Sequence, residues 1–214
     1  MKQTMNKGWL LFFAIVISAV QQLSAQTLKE FFNSSDVPMT YLGVDFTRAK
    51  VLNDITVSAT DIRDKQYPAI NQVIVNESSK FDFQKTFSKT NVTNDISFVV
   101  EKNSKIDVEK IIEASADEVH LNESDIASIV KGYNFGGKKG IGVMFIMETM
   151  NKASAQGNMY VTFIDMASSK VLLTERMTAK AGGFGFRNYW AKTIYEVMNQ
   201  IKKSKYKEWK AKVG

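Results

Sequence analysis

The stretch from residue 141 to residue 201 constrains the fold of this chain more than any other. It reads as a strand over 141–149, a hairpin over 158–177, a glycine-rich corner over 181–186 and an amphipathic helix. In that helix Trp190, Ile194, Val197, Met198 and Ile201 recur at spacings of four, three, one and three, an apolar stripe on a 3.6-residue period. Lys192, Glu196, Asn199, Lys202 and Lys203 fall off the stripe. The first strand is apolar on both parities: Ile141, Val143, Phe145 and Met147 on one side, Met144 and Ile146 on the other. A strand of that kind is central and covered on both faces. Three strands with short connections form a meander, and the helix supplies the lid that one of its faces needs.

The first 25 residues stand apart from that core. Lys2 and Lys7 make a basic start, the run from Leu10 to Val20 is apolar except for Ser18, and Leu23-Ser24-Ala25 ends on a small residue. This is the layout of a secretory signal peptide, and the run falls short of the about 20 apolar residues of a membrane span. The expected organisation is a signal peptide over 1–25, cleaved after Ala25, and one α+β domain over 26–214. No later stretch is apolar enough to cross a membrane, so the expected location is the periplasm or the exterior.

Losing Lys2 and Lys7 lowers the net charge from +6 to +4, too mild a balance for a nucleic-acid partner. Much of the excess lies at the end of the chain: Lys202, Lys203, Lys205, Lys207, Lys210 and Lys212 are opposed there only by Glu208. Cations suit the negative pole of a helix C-terminus. The same run, with Tyr206 and Trp209, could instead meet an anionic envelope component or another envelope protein. Lys202, Lys203, Tyr206, Lys207, Trp209 and Lys210 are therefore the candidate interaction surface. The chain contains no cysteine, so disulfides and a lipid-modified cysteine are excluded and packing must supply the stability.

Ahead of the core block the pattern is less regular. Residues 39–46 read as a strand through Tyr41, Leu42, Val44 and Phe46. Asp64 reads as an N-cap with Pro68 in the first turn that follows, and Ile70, Val73 and Ile74 supply a buried face. Phe81, Phe83 and Phe87 fit no single period. Residues 96–100 read as a short strand, and Asp107 as the cap of a brief helix. At Leu121 the signal sharpens: Asn122 as N-cap places Asp125 at N3 and Ile126 at N4 for a hydrophobic staple, and Gly132 falls where a left-handed residue would end the helix. The expected fold is α+β, a mixed sheet whose C-terminal three-stranded meander is closed by an amphipathic C-terminal helix.

Candidate chemistry is sparse. Residues 132–138 fit the first seven positions of G-x-x-x-x-G-K-[ST], but Lys139 replaces the hydroxyl that would hold magnesium, and a helix precedes the loop where one should follow it. At 181–188 the order is strand, glycines, helix. Free N–H groups at the helix start beside Arg187 could hold a carboxylate or phosphate, which makes Gly182, Gly183, Gly185, Phe186, Arg187 and Asn188 the candidate ligand site. The same glycines would equally serve a tight corner. His120 is the only histidine, so Cys/His metal sites are not expected and any triad would need this residue. No cofactor is expected. The carboxylate pairs Asp117–Glu118 and Glu123–Asp125 read as solvated helix-cap charges, and a distant pair suited to hydrolysis is the remaining catalytic alternative.

The segments Tyr41-Leu42-Gly43-Val44-Asp45-Phe46 and Gly182-Gly183-Phe184-Gly185-Phe186-Arg187-Asn188-Tyr189-Trp190 resemble those of a family of exported proteins of Bacteroidota, a resemblance that brings no activity with it. More distantly, Val161-Thr162-Phe163-Ile164-Asp165 turning into Lys170-Val171-Leu172 and on to a closing helix is similar to the α/β domain of curli-assembly lipoproteins and the amino-terminal domain of TolB. Their lipid-bearing cysteine has no counterpart in this chain. Both resemblances imply an envelope protein that works by binding, with a small anionic ligand at the Gly182–Arg187 corner as the alternative.

Overall fold

A computed structural model of the chain describes residues 28–54, 56–113 and 120–214; the segment read as a signal peptide lies outside them. One long strand organises the rest. β5 (Ile141–Asn151) is buried at every position, as its double apolar parity requires. One of its edges pairs antiparallel with β6 (Gln156–Asp165), which pairs antiparallel with β7 (Lys170–Lys180). The C-terminal meander is thus present, its strands running a few residues beyond the ranges read from the sequence.

The other edge of β5 is shared. β1 (Met39–Asp45) pairs parallel with its first half, and β2 (Lys50–Leu52) pairs parallel with Thr149, Met150 and Asn151. Outside these lie two short parallel strands, β3 (Val92–Asn94) against β1 and β4 (Ile112–Glu113) against β2. Between them Val44 and Phe46 lack a strand partner on the outer side. Two buried side-chain amides replace it: Asn71 Oδ1 accepts from Val44 N at 2.7 Å, and Asn103 Oδ1 accepts from Phe46 N at 2.9 Å. Both Nδ2 groups donate to the Val44 carbonyl, at 3.1 and 3.0 Å. Buried backbone groups left unpaired would be costly, which is why polar residues occupy these interior positions.

Helices cover both faces. On the first, α1 joins Ala59–Asp61 through a π-turn at Ile62–Gln66 to Tyr67–Asn76. α2 (Phe83–Phe87), α5 (Phe186–Gln200) and α6 (Tyr206–Val213) pack beside it, the last two joined by a π-turn at Ile201–Lys205. They enclose the larger core, with Phe145, Phe163, Trp190 and Trp209. The second face carries α3 (Ser97–Asn103) and α4 (Glu123–Lys131) over Met144, Ile146, Tyr160 and Ile164. A helical turn over 28–33 buries Phe31 and Phe32 against Phe163. The buried Lys89 ammonium holds the end of that turn by donating to the carbonyls of Phe31 and Ser34.

Several local expectations are corrected. The helix expected after Asp64 begins at Ala59, capped by the Ser58 hydroxyl, and Asp64 instead pairs with Arg63. Pro68, without an N–H, comes after the π-turn with Tyr67 between them, where the ladder is already re-registered. The segment read as a strand at 96–100 is α3. Asp95 Oδ1 accepts from the Ser97 N–H and hydroxyl to start the turn, and Val99 and Asn103, four apart, both face inward. Asn122 and Asp125 do form a capping box on α4, with Leu121 and Ile126 buried together. Gly132 ends that helix at φ −73°, not left-handed, because its N–H bonds the carbonyls of Ser128 and Ile129. Asp107 caps a 3-10 turn at Val108–Lys110.

Candidate functional site

The register fixes where the two glycine loops lie. Ile141 pairs with Asp165 and Asp165 with Lys170, whereas Asn151 pairs with Gln156 and Gln156 with Lys180. The 132–140 loop therefore enters at one end of the meander and the 181–186 corner leaves at the other, about 30 Å away along strands of this length. They share no pocket. Lys138, the phosphate-loop candidate's lysine, pairs with Asp95 at 2.7 Å.

At the corner the six residues singled out from the sequence come together. The Gly182 N–H donates to the Tyr189 carbonyl at 3.1 Å, closing the loop onto the first turn of α5. Gly183 and Gly185 take φ values of 108° and 76°, which glycine allows and other residues resist. Gly185 is the N-cap, and no side chain caps the helix start. Arg187 and Asn188 are exposed, joined by an Nε to Oδ1 hydrogen bond of 3.0 Å, and Phe186 packs on Trp190.

The C-terminal candidates divide. Lys202, Lys203, Lys207 and Lys210 are exposed. Tyr206 is half-buried on Phe32, with ring centroids 5.2 Å apart. Trp209 belongs to the core: it is 1% exposed, meets the Phe163 ring edge-on at 5.3 Å and donates its indole N–H to Glu175. Reading it as surface is corrected, since the helix turns this one aromatic inward between its lysines.

A site not singled out from the sequence lies where β1 ends. A cleft of about 490 Å³ opens there, walled by Arg48 from the β1–β2 link, Lys50 at the start of β2, Lys102 and Lys105 near the end of α3, Lys110 of the 3-10 turn, and His120. A second hollow of about 440 Å³ shares its Thr47, Lys102 and Lys105 wall. The crossover from β2 to β3 runs through α1 on one face, and α4 leads into β5 on the other. The mouth thus lies near a change of face, beside the carboxyl end of a parallel strand, a place where open α/β sheets hold ligands.

The wall is fixed from below. Asp45 is fully buried and accepts from Thr47 N and Oγ1, both at 2.6 Å, and from the Tyr133 hydroxyl at 2.6 Å. Burial raises the Tyr133 phenol above its usual range, and the Asp45 charge adds to the shift. The Lys102 ammonium stands 4.5 Å from the centre of the Tyr133 ring. His120 Nε2 lies 3.0 Å from the Arg48 carbonyl; a carbonyl only accepts, so Nε2 is the donor in this bond. Some cations are already matched: Lys50 with Glu113, Lys105 with Glu101 at 2.6 Å and Lys110 with Asp107 at 3.4 Å. Arg48 and Lys102 face no carboxylate within ion-pair distance among the described residues.

The buried carboxylates hold backbone. Glu148 sits in a bulge of β5 and accepts from the N–H groups of His120 and Leu121, both at 2.9 Å, and from Arg176 Nε at 2.6 Å. Asp54 accepts from Thr56 N and Oγ1 at 3.1 and 2.6 Å. Asp117 and Glu118 lie outside the described residues. Among those described, no three His, Cys, Asp or Glu residues are grouped to hold a metal, and no helix is long and apolar enough to cross a membrane.

No known protein family matches the chain, and no curated protein does. Among solved structures, it is similar to lipoprotein GNA1162 from Neisseria meningitidis at 11% identity and a TM-score of 0.32, over 78% of this chain and 98% of that one. At that score the likeness establishes no shared fold.

Proposed function

We propose that this chain is an exported, envelope-associated protein that works by binding, not by catalysis, and that it holds an anionic envelope component in the cleft at the end of β1. The observation that carries this reading is the pair of cations, Arg48 and Lys102, which face no carboxylate among the described residues, on a wall pinned by buried hydrogen bonds. A prearranged wall spends little ordering entropy when a ligand arrives, and unmatched cations supply the attraction. Export is supported by the basic start, apolar run and small residue of the first 25 positions.

Calorimetry on residues 26–214 with citrate and with inorganic phosphate tests the cleft. Saturable binding that weakens with salt is expected, falling about tenfold in Arg48→Ala and in Lys102→Ala. Binding that ignores both substitutions, or no heat at millimolar probe, refutes the reading. The hydrolase alternative gains nothing from the buried carboxylates, since Asp45, Asp54 and Glu148 are each occupied by backbone N–H or hydroxyl donors.

A further inference from the structure

The glycine corner displays a side chain that the fold does not need there. Phe184 is 95% exposed, the single large hydrophobic residue so exposed among those described. The display is built: Gly183 and Gly185 flank Phe184 at positive φ, and the Gly182 N–H to Tyr189 carbonyl bond closes the loop behind it. An apolar ring held out in water this way points to a partner that is apolar where the ring enters.

The surroundings carry four exposed or half-buried cations. Lys152 comes from the β5–β6 turn, Lys180 from the end of β7, and Arg187 and Lys192 from the first turns of α5. Segments 149–158 and 176–195 contain no aspartate or glutamate; the end of β2 beside Asn151 leads into Asp54, which is buried and accepts from Thr56 N and Oγ1. None of the four cations pairs with a carboxylate among the described residues; Lys152 lies over the Tyr189 ring at 3.4 Å from its centre. The start of α5, uncapped by any side chain, adds its positive pole.

We propose that this corner docks on an anionic lipid surface. Phe184 would enter the boundary between headgroups and acyl chains, with Lys152, Lys180, Arg187 and Lys192 on the headgroup phosphates. A lone aromatic tip ringed by unmatched cations fits a partner that is anionic on top and apolar beneath, and a fluid interface requires no shaped groove around the ring. One ring and a few cations make an attachment that is weak and reversible.

Residues 26–214 are sedimented with phosphatidylcholine vesicles, with or without phosphatidylglycerol at about a third of the lipid. Binding is expected only to the anionic vesicles, declining with salt. Phe184→Ser should weaken it about tenfold, and Lys180→Glu with Arg187→Glu should abolish it; both changes are at exposed positions. Because the chain has no cysteine, Phe184→Cys carrying an environment-sensitive dye reports insertion directly, as a blue shift on anionic vesicles. Phe184→Ser should leave phosphate binding in the cleft at the end of β1 unchanged, which separates this proposal from the cleft. Equal binding to neutral vesicles, indifference to Phe184→Ser, or loss through Lys203→Glu with Lys207→Glu instead would overturn it.

Discussion

At the scale of single residues, the outer edge of β1 shows how tightly one position can be bound by its neighbours. Gly43 lies in a bulge of β1 at φ 99°. A Cβ there would stand 2.5 Å from Val99 Cγ2 and 2.8 Å from Asn71 Oδ1. Val99 is packed in the second core and cannot retreat, and Asn71 Oδ1 is the acceptor for the Val44 N–H. Gly43→Ala therefore combines backbone strain with overpacking and threatens a buried hydrogen bond. The expected loss is about 3 kcal/mol or more. Chemical denaturation of the variant against the parent measures it, and a loss within about 0.5 kcal/mol would show that the bulge relaxes freely.

At the scale of elements, the closing helix is where sequence and structure agree most closely. Trp190, Ile194, Val197, Met198 and Ile201 are all buried, while Lys203 on the opposite side is exposed. Trp190→Ala and Ile194→Ala should each cost about 2–5 kcal/mol, and Lys203→Ala about 0.5 kcal/mol or less. Equal losses in denaturant melts would contradict the assigned face. This helix and β5 were legible because each is long enough for its period to dominate. α3 was not: five residues rich in Ile, Phe and Val carry a strand's composition, and its helical form depends on Asp95 at one end and on Asn103 reaching the β1 edge at the other. Trp209 was misplaced because the lysines around it mask a single inward position. The cleft was invisible for another reason. Its wall assembles residues 47–50, 102–110 and 120, and their proximity follows from two short strands sharing one edge of β5, an arrangement no local pattern records. The glycine corner was legible as a candidate because strand, glycines and helix are contiguous there, but the exposure of Phe184 was not.

At the scale of the whole molecule, β5 makes one unit of two cores. Val143, Phe145 and Met147 face the larger core, and Met144 and Ile146 the smaller, from the same strand. Neither face can open without releasing the ladder that supports the other, so the two should melt together. The chain's far ends are tied into the same unit: Leu28, Phe31 and Phe32 are buried in the larger core, and Lys29 Nζ donates to the Gly214 carbonyl at 2.9 Å. Leu28, the third residue after the expected cleavage following Ala25, is thus already part of the larger core. A protein of residues 26–214 should unfold in a single transition, with fluorescence and far-ultraviolet circular dichroism giving coincident curves. The exported form should have the intact mass of a chain beginning at Gln26. A mass retaining the first 25 residues would refute the cleavage, and separated transitions would show that the parallel half and the meander fold as two units despite sharing β5.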